Sequence, residues 1–338
     1  MTNGRTSEPE PPPEPQRGAH GPGRPDAAAF RAQVRARRAD IERQVQETRA
    51  QFDQANEKIR ARTGRNLILA IAIGLAFGAL VLVSLIFVKE IFMLLAVALS
   101  AFAALEIADA FRGSGRRISR TPTVIAAVGM IPASFYLGSN GLWYSAVAGV
   151  VLVLVWRLAE SVPPAGRIPG RALVRDLSSA VLIQIYVGFL AAFAVLLVAQ
   201  PNGQWWTLAF VILVIAVDTG AYASGLAFGK HPMAPTISPK KTWEGFAGAA
   251  AASIVAGVLL AVFMLNVAWW FGLVLGPVLL LTATFGDLAE SLIKRDIGIK
   301  DMSSWLPGHG GFLDRLDSIL PSAAAAYGLY VVFMPLIG

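Results

Sequence analysis

From Leu67 onward the chain is built of long apolar runs separated by short polar or glycine-rich breaks. A helix needs about 20 such residues to cross the hydrocarbon of a bilayer, with roughly 17 as the lower limit. Nine runs meet that requirement: 67–87, 90–110, 121–138, 141–158, 176–199, 205–226, 245–266, 268–286 and 317–337. The third and fourth are short and joined by Gly138-Ser139-Asn140-Gly141, and the seventh and eighth are divided only around Asn266. Inside a membrane each segment must satisfy its own backbone hydrogen bonds. The pattern therefore predicts an all-α fold, a polytopic integral membrane bundle of about nine transmembrane helices.

The chain before Leu67 reads differently. Residues 1–26 are rich in Pro, Gly and Glu and cannot bury enough apolar surface to order themselves, so they are expected to form a disordered tail. Residues 27–65 read as a polar or amphipathic cytosolic helix. Val34 and Ile41 share one heptad position, and Val45, Phe52 and Ile59 another. Arg38, Thr48 and Ala55 weaken the pattern; a short coiled coil and a helix lying on the membrane surface both fit, and the plainer reading is a solvated helix with no catalytic role. The tail is a candidate for dimerisation or partner binding, and a homodimer is carried as an open expectation. Residues 66–338 form the transmembrane domain. The first apolar run starts too far from residue 1 for a secretory leader.

Composition sharpens the picture. Of 338 residues 55% are apolar and 15% charged, against about 25% charged in soluble domains. The net charge of +7 is not read as a nucleic-acid footprint, because the basic residues flank apolar runs, where they set topology and touch anionic lipid. With the N-terminus in the cytosol, 28 of the 29 Lys and Arg fall on the cytosolic side and only Lys89 on the other. This partition places the connections 229–244 and 287–316 on one face, the cytosolic one. The absence of cysteine excludes disulfides, zinc–thiolate sites and cysteine nucleophiles. With three histidines, any metal would be held mainly by oxygen, which favours an ion like Mg²⁺.

The two cytosolic connections carry the unusual residues. Asp287 closes an apolar run. If its helix continues, Asp287, Ser291 and Lys294 share a face, with Glu290 and Lys294 as an i, i+4 pair; the plainer reading is a helix end decorated with interfacial ion pairs. Lys300-Asp301 follows, then Pro307-Gly308-His309-Gly310-Gly311-Phe312-Leu313-Asp314-Arg315-Leu316-Asp317. Glycines at the start of a helix let successive N–H groups cradle an anion, and Asp314 and Asp317 share a face beside them. Acids next to a phosphate-binding turn suit Mg²⁺ and a polyphosphate, with Lys and Arg neutralising the remainder. In the other connection Ser238 or Thr242 is expected to cap the seventh helix, and Lys240 and Lys241 add positive charge at its start. The plainer use of those lysines is binding headgroups. Asp218, beside Gly220 inside a run, is an intramembrane acid and so a functional candidate, or else one half of a buried ion pair. Glu106 and Asp109 are expected to reach toward the headgroups, Trp205 and Trp206 to anchor an interface, and His231 to have no role.

The stretch from Ser291 to Asp317 resembles the signature of the phosphatidate cytidylyltransferase (CDP-diacylglycerol synthase) family: Ser291, Lys294-Arg295, Lys300-Asp301, His309-Gly310-Gly311, Asp314-Arg315 and Asp317. The segments Asp218-Thr219-Gly220 and Ser238 to Gly245 resemble the family too. The likeness is specific over about 205–338, which marks that part as catalytic. It implies transfer of CMP from CTP to phosphatidate, giving CDP-diacylglycerol and pyrophosphate for phospholipid biosynthesis. The lack of a eukaryotic targeting feature points to a bacterial plasma (inner) membrane, and the partition of Lys and Arg to a cytosolic site. The resemblance also implies Mg²⁺ held by Asp287 and Asp314, with a second cation such as K⁺ nearby. Asp317 and Asp301 would support that metal. Lys294, Arg295, Lys300 and Arg315 would meet phosphates of CTP or phosphatidate, His309, Gly310 and Gly311 would shape the phosphate turn, and Lys240 and Lys241 would recruit either substrate. The alternatives are a CTP-dependent transferase acting on another membrane lipid, and an ion-coupled transporter, against which the absence of internal repeats speaks.

Overall fold

The computed structural model describes residues 67–161, 169–303, 305 and 310–337, with the isolated positions 37 and 44. The chain divides into Met1–Thr63 and Gly64–Gly338. The expected tail and the polar helix over 27–65 thus lie outside the described residues, apart from Arg37 and Gln44. Everything below concerns the second unit.

Seven of the described helices are long and apolar enough to cross a membrane. Helix α1 (Leu67–Phe87) is separated from α2 (Lys89–Gly113) by a single extended residue, Val88. Gly115, at φ 83°, turns the chain after α2, the usual place for a left-handed glycine. Helix α3 (Arg120–Ala159) is broken at Gly138, with φ 63° and ψ −149°. Its two arms run back along each other: a Cβ on Gly141 would fall 2.0 Å from the Ala133 carbonyl oxygen, and one on Gly149 would fall 2.9 Å from Met130 Cε. The two short runs on either side of residue 138 are therefore the arms of a helical hairpin. Helix α4 (Gly170–Ala199) carries a wider π turn at Gln184–Phe189.

Helix α5 (Gly203–Phe228) leads into the one departure from an all-helical layout among the described residues. Strands β1 (Pro232–Ala234) and β2 (Ser238–Thr242) pair antiparallel, with Pro232 opposite Thr242 and Ala234 opposite Ser238. Pro232, Pro235 and Pro239 deny this polar segment a helix. Helix α6 (Trp243–Phe263) starts at Thr242, whose hydroxyl accepts from the Gly245 N–H at 3.1 Å. Of the two expected caps, Thr242 is the one used, and Ser238 lies in β2. Helix α7 (Trp269–Asp296) runs well past the expected end at 286. The chain finishes with α8 (Leu313–Leu316) and α9 (Ile319–Ile337).

Between apolar helices in lipid, association comes from close packing and polar contacts rather than from expulsion of water. Small residues provide it here. A Cβ on Gly220 of α5 would meet the Ala252 Cβ of α6 at 2.7 Å, and one on Gly272 of α7 would meet the Val258 Cα of α6 at 2.5 Å. One core gathers around Ile107, Phe111, Met130, Ile183 and Leu196, a second around Phe210, Leu213, Phe271 and Leu279, and Phe193 and Tyr327 flank both. Val151 and Val155 on α3, Val255 and Leu259 on α6 and Val331 and Val332 on α9 stay exposed, an apolar surface fitted to acyl chains.

Candidate active site

Because α7 continues past residue 286, Asp287, Glu290, Ser291 and Lys294 follow each other on one face at i, i+3, i+4 and i+7. Gly286 sets what that face meets. A Cβ there would stand 2.1 Å from the Asp317 carbonyl oxygen, so only glycine lets α7 approach the chain between α8 and α9 this closely. The crossing brings Asp287 and Asp317 to a common cavity of about 390 Å³. Asp218 from α5, Ser238, Lys240 and Lys241 from β2, and Asp314 and Arg315 from α8 also line it. Its apolar part includes Val217, Ala221, Phe246, Ala249 and Ala283. Four carboxylates and three cationic side chains thus converge where an apolar wall meets a polar one.

The charges pair across elements. Lys241 Nζ is 2.6 Å from Asp287 Oδ2, and Ser291 Oγ donates to Asp287 Oδ1 at 3.4 Å. Lys294 Nζ lies 2.5 Å from Glu290 Oε2 and 2.9 Å from Asp314 Oδ1, between the two acids. Glu290 is completely buried, and a buried carboxylate without a partner costs several kcal/mol. Its partner Lys294 offsets part of that cost at Oε2, while the buried Oε1 has no hydrogen-bond partner among the described residues, and the same ammonium contacts Asp314. Tyr186, projecting from the π turn of α4, donates to the Gly286 carbonyl at 3.3 Å, next to Asp287.

The glycine turn differs from the expectation. Its N–H groups were to cradle phosphate, but the protein's own carboxylates take them. The Gly311 N–H donates to Asp314 Oδ2 at 2.7 Å, while the Phe312 and Leu313 N–H groups donate to Glu106 at 3.1 and 2.7 Å. Ser303 Oγ donates to Glu106 as well. Glu106 is 1% exposed: it does not reach toward the headgroups but faces inward from α2. Asp109, one turn on, pairs with Arg120 at 2.6 Å.

Among the remaining sequence candidates, Arg295 points its Nε at the Ile237 carbonyl, 3.3 Å away in the hairpin turn. Lys300 and Asp301 are exposed and do not line the cavity, and His309 lies outside the described residues. His231, read as idle, bonds to Glu244 through Nδ1 at 2.5 Å, and Glu244 also accepts from the Lys230 and His231 N–H groups, fastening the hairpin to the start of α6. Sequence reasoning misread Glu106, which it sent toward the headgroups, and missed Tyr186 and this fastening. A signal existed for Glu106 alone, as an acid within an apolar helix.

Among the described residues no three His, Cys, Asp or Glu side chains come together as a ready metal cage. A Mg²⁺ ion needs none, since one or two carboxylates with water and substrate phosphate suffice. Asp287 and Asp314, both facing the cavity and each touching a lysine ammonium that a metal ion could replace, fit that donor set.

The chain is 40% identical over 272 residues to a Mycobacterium bovis protein named phosphatidate cytidylyltransferase, covering 79% of this chain and 89% of that one. A Mycobacterium leprae protein of the same name is 39% identical over 274 residues, covering 79% and 88%. One from Brucella suis is 36% identical over 190 residues, covering 55% and 64%. The match to the cytidylyltransferase family extends over residues 68–333, from α1 through the cavity to α9. The chain belongs to the cytidylyltransferase family.

Proposed function

We propose that the protein transfers CMP from CTP to phosphatidate, releasing pyrophosphate and forming CDP-diacylglycerol. The observation that carries this reading is the cavity in which Asp218, Asp287, Asp314 and Asp317 face Lys240, Lys241 and Arg315 against an apolar wall. A lipid phosphate and a nucleotide triphosphate are both polyanions, and only one of them needs apolar surroundings. In the reaction an ionised phosphate oxygen of phosphatidate attacks the α-phosphorus of CTP. One O–P bond forms, the α–β bridging bond breaks, and pyrophosphate leaves with the electron pair. The nucleophile is already anionic, so no strong base is required; positioning and charge neutralisation supply the rate. Asp287 and Asp314 would hold Mg²⁺, which when bound neutralises phosphate charge as a Lewis acid. Lys240, Lys241 and Arg315 would draw the two substrates together, and the apolar wall would keep bulk water from competing as acceptor.

The membrane placement extends this. Counting the arms of α3 separately and adding α1 gives nine crossings. With the N-terminus cytosolic, the arginine-rich ends of α2 and α3, the hairpin and the end of α7 then share the cytosolic side of a bacterial plasma membrane, as the distribution of Lys and Arg supports. CTP would reach the cavity from the cytosol and phosphatidate from the leaflet.

The test is conversion of phosphatidate by the purified full-length protein in detergent, with and without Mg²⁺, beside Asp314→Asn. CDP-diacylglycerol and pyrophosphate should form only with CTP and Mg²⁺, and the variant should be inactive. Protein that binds CTP but leaves phosphatidate unconverted while using another lipid would show the acceptor to be wrong. An active Asp314→Asn enzyme would remove the metal role.

A further inference from the structure

Glu106 belongs to α2, outside the segments that carry the signature, yet it is buried and has no cationic partner within salt-bridge distance among the described residues. Three donors compensate its charge: the N–H groups of Phe312 and Leu313, and the Ser303 hydroxyl. Bonds of this kind, from main-chain N–H to an ionised carboxylate, are among the strong ones in proteins. On the other side of the same turn Asp314 Oδ2 accepts from the Gly311 N–H, three residues back, in the manner of a capping box. Two carboxylates thus grip one turn, Asp314 from within it and Glu106 from across the bundle.

The two glycines are explained by that grip. Gly310 has φ 80°, and a Cβ on it would stand 2.9 Å from Asp314 Oδ2. A Cβ on Gly311 would stand 2.3 Å from Glu106 Oε1. They make room for protein carboxylates, so the anion at this turn is one the protein already contains.

We propose that Glu106 is a positioning residue for the transfer reaction: by fixing the Gly311–Leu313 turn it holds Asp314 in the geometry that faces the cavity, and it leaves substrate phosphates to the side-chain cations. In Glu106→Gln the side-chain amide would offer one acceptor oxygen and an NH₂ that opposes the second N–H, so the turn would lose half of its grip while the shape of the core is kept. The proposal rests on the metal role of Asp314 given above, which Asp314→Asn, measured beside the variants below for Mg²⁺-dependent CTP binding, tests separately: parental binding in Asp314→Asn removes the metal role, whatever Glu106→Gln does.

Full-length protein in lipid–detergent micelles is assayed for Mg²⁺-dependent CTP binding by equilibrium dialysis, and separately for turnover of phosphatidate. Binding is read without any lipid acceptor, so it remains informative even if phosphatidate proves to be the wrong substrate. Glu106→Gln should weaken Mg²⁺-dependent CTP binding, on the order of tenfold, and raise the Mg²⁺ concentration for half-maximal rate, with the melting temperature close to that of the parent. Gly311→Ala, which drives a methyl group at Glu106, should do the same. The double variant should be no worse than the poorer single, because both remove one contact. Parental binding and Mg²⁺ dependence in Glu106→Gln overturn the proposal, as do multiplicative losses in the double variant. If Glu106→Gln does not fold, Gly311→Ala alone decides: a weakened Mg²⁺ response supports the role, and a parental response ends it.

Discussion

Lys241, the penultimate residue of β2, bonds to Asp287 of α7 across 2.6 Å, and both line the cavity. The pair is partly exposed, so its worth to folding is at most about 1 kcal/mol. Its interest is chemical: the ammonium group stands where a cation bound to Asp287 would stand.

Replacing Lys241 by Gln should therefore act in opposite directions on two ligands. Binding of Mg²⁺ alone should tighten by a few-fold, up to about fivefold for 1 kcal/mol of competition removed, while CTP binding weakens through loss of a positive charge. Titrating the metal and the nucleotide separately checks both signs. Weaker binding of both would show that Lys241 does not compete for Asp287.

Lys294 bridges Glu290 and Asp314. Lys294→Met should leave two acids facing each other in a buried place and lower stability by about 3 kcal/mol, read as a lower melting temperature in detergent. Glu290→Gln added to Lys294→Met should recover part of the loss. Equal melting of the parent and Lys294→Met would contradict the bridging role.

Gly286→Ala puts a methyl group against the Asp317 carbonyl. Overpacking of this kind costs about 1–3 kcal/mol, but the larger effect should be on turnover, on the order of 100-fold for a displacement of about 1 Å between Asp287 and Asp317. Gly328→Ala in α9, where an added Cβ meets nothing within 4 Å, is the control and should keep parental activity. Comparable losses in both would mean that any added methyl disturbs the bundle.

The helices were legible because lipid as solvent enforces apolar runs of a definite length, and even the break at Gly138 shows in the Gly-Ser-Asn-Gly joint. Asp287, Asp314, Asp317 and the Lys240–Lys241 pair were legible as acids and cations set beside apolar runs. The hairpin at 232–242 was not, since strands this short, interrupted by proline, leave no alternating pattern. The partner of Glu106 was not either, because Phe312 is 206 positions away and nothing local in α2 announces it. The glycine pair was read as making room for phosphate, since sequence shows that a backbone can approach an anion closely but not which anion.

The unbroken run of α7 also works as a ruler. Asp287 follows Trp269 by 18 positions on one continuous helix, a rise of about 27 Å at 1.5 Å per residue. The hydrocarbon of a bilayer is about 30 Å thick, and tryptophans such as Trp269 and Trp270 favour its boundary. With Trp269 at one boundary and α7 upright, the carboxylate would come within about 3 Å of the opposite edge of the hydrocarbon, just under the glycerol backbone. A lipid phosphate at that height can be modified without its acyl chains leaving the leaflet, and lengthening α7 by a turn below Asp287 would lift the chemistry out of reach of its own substrate.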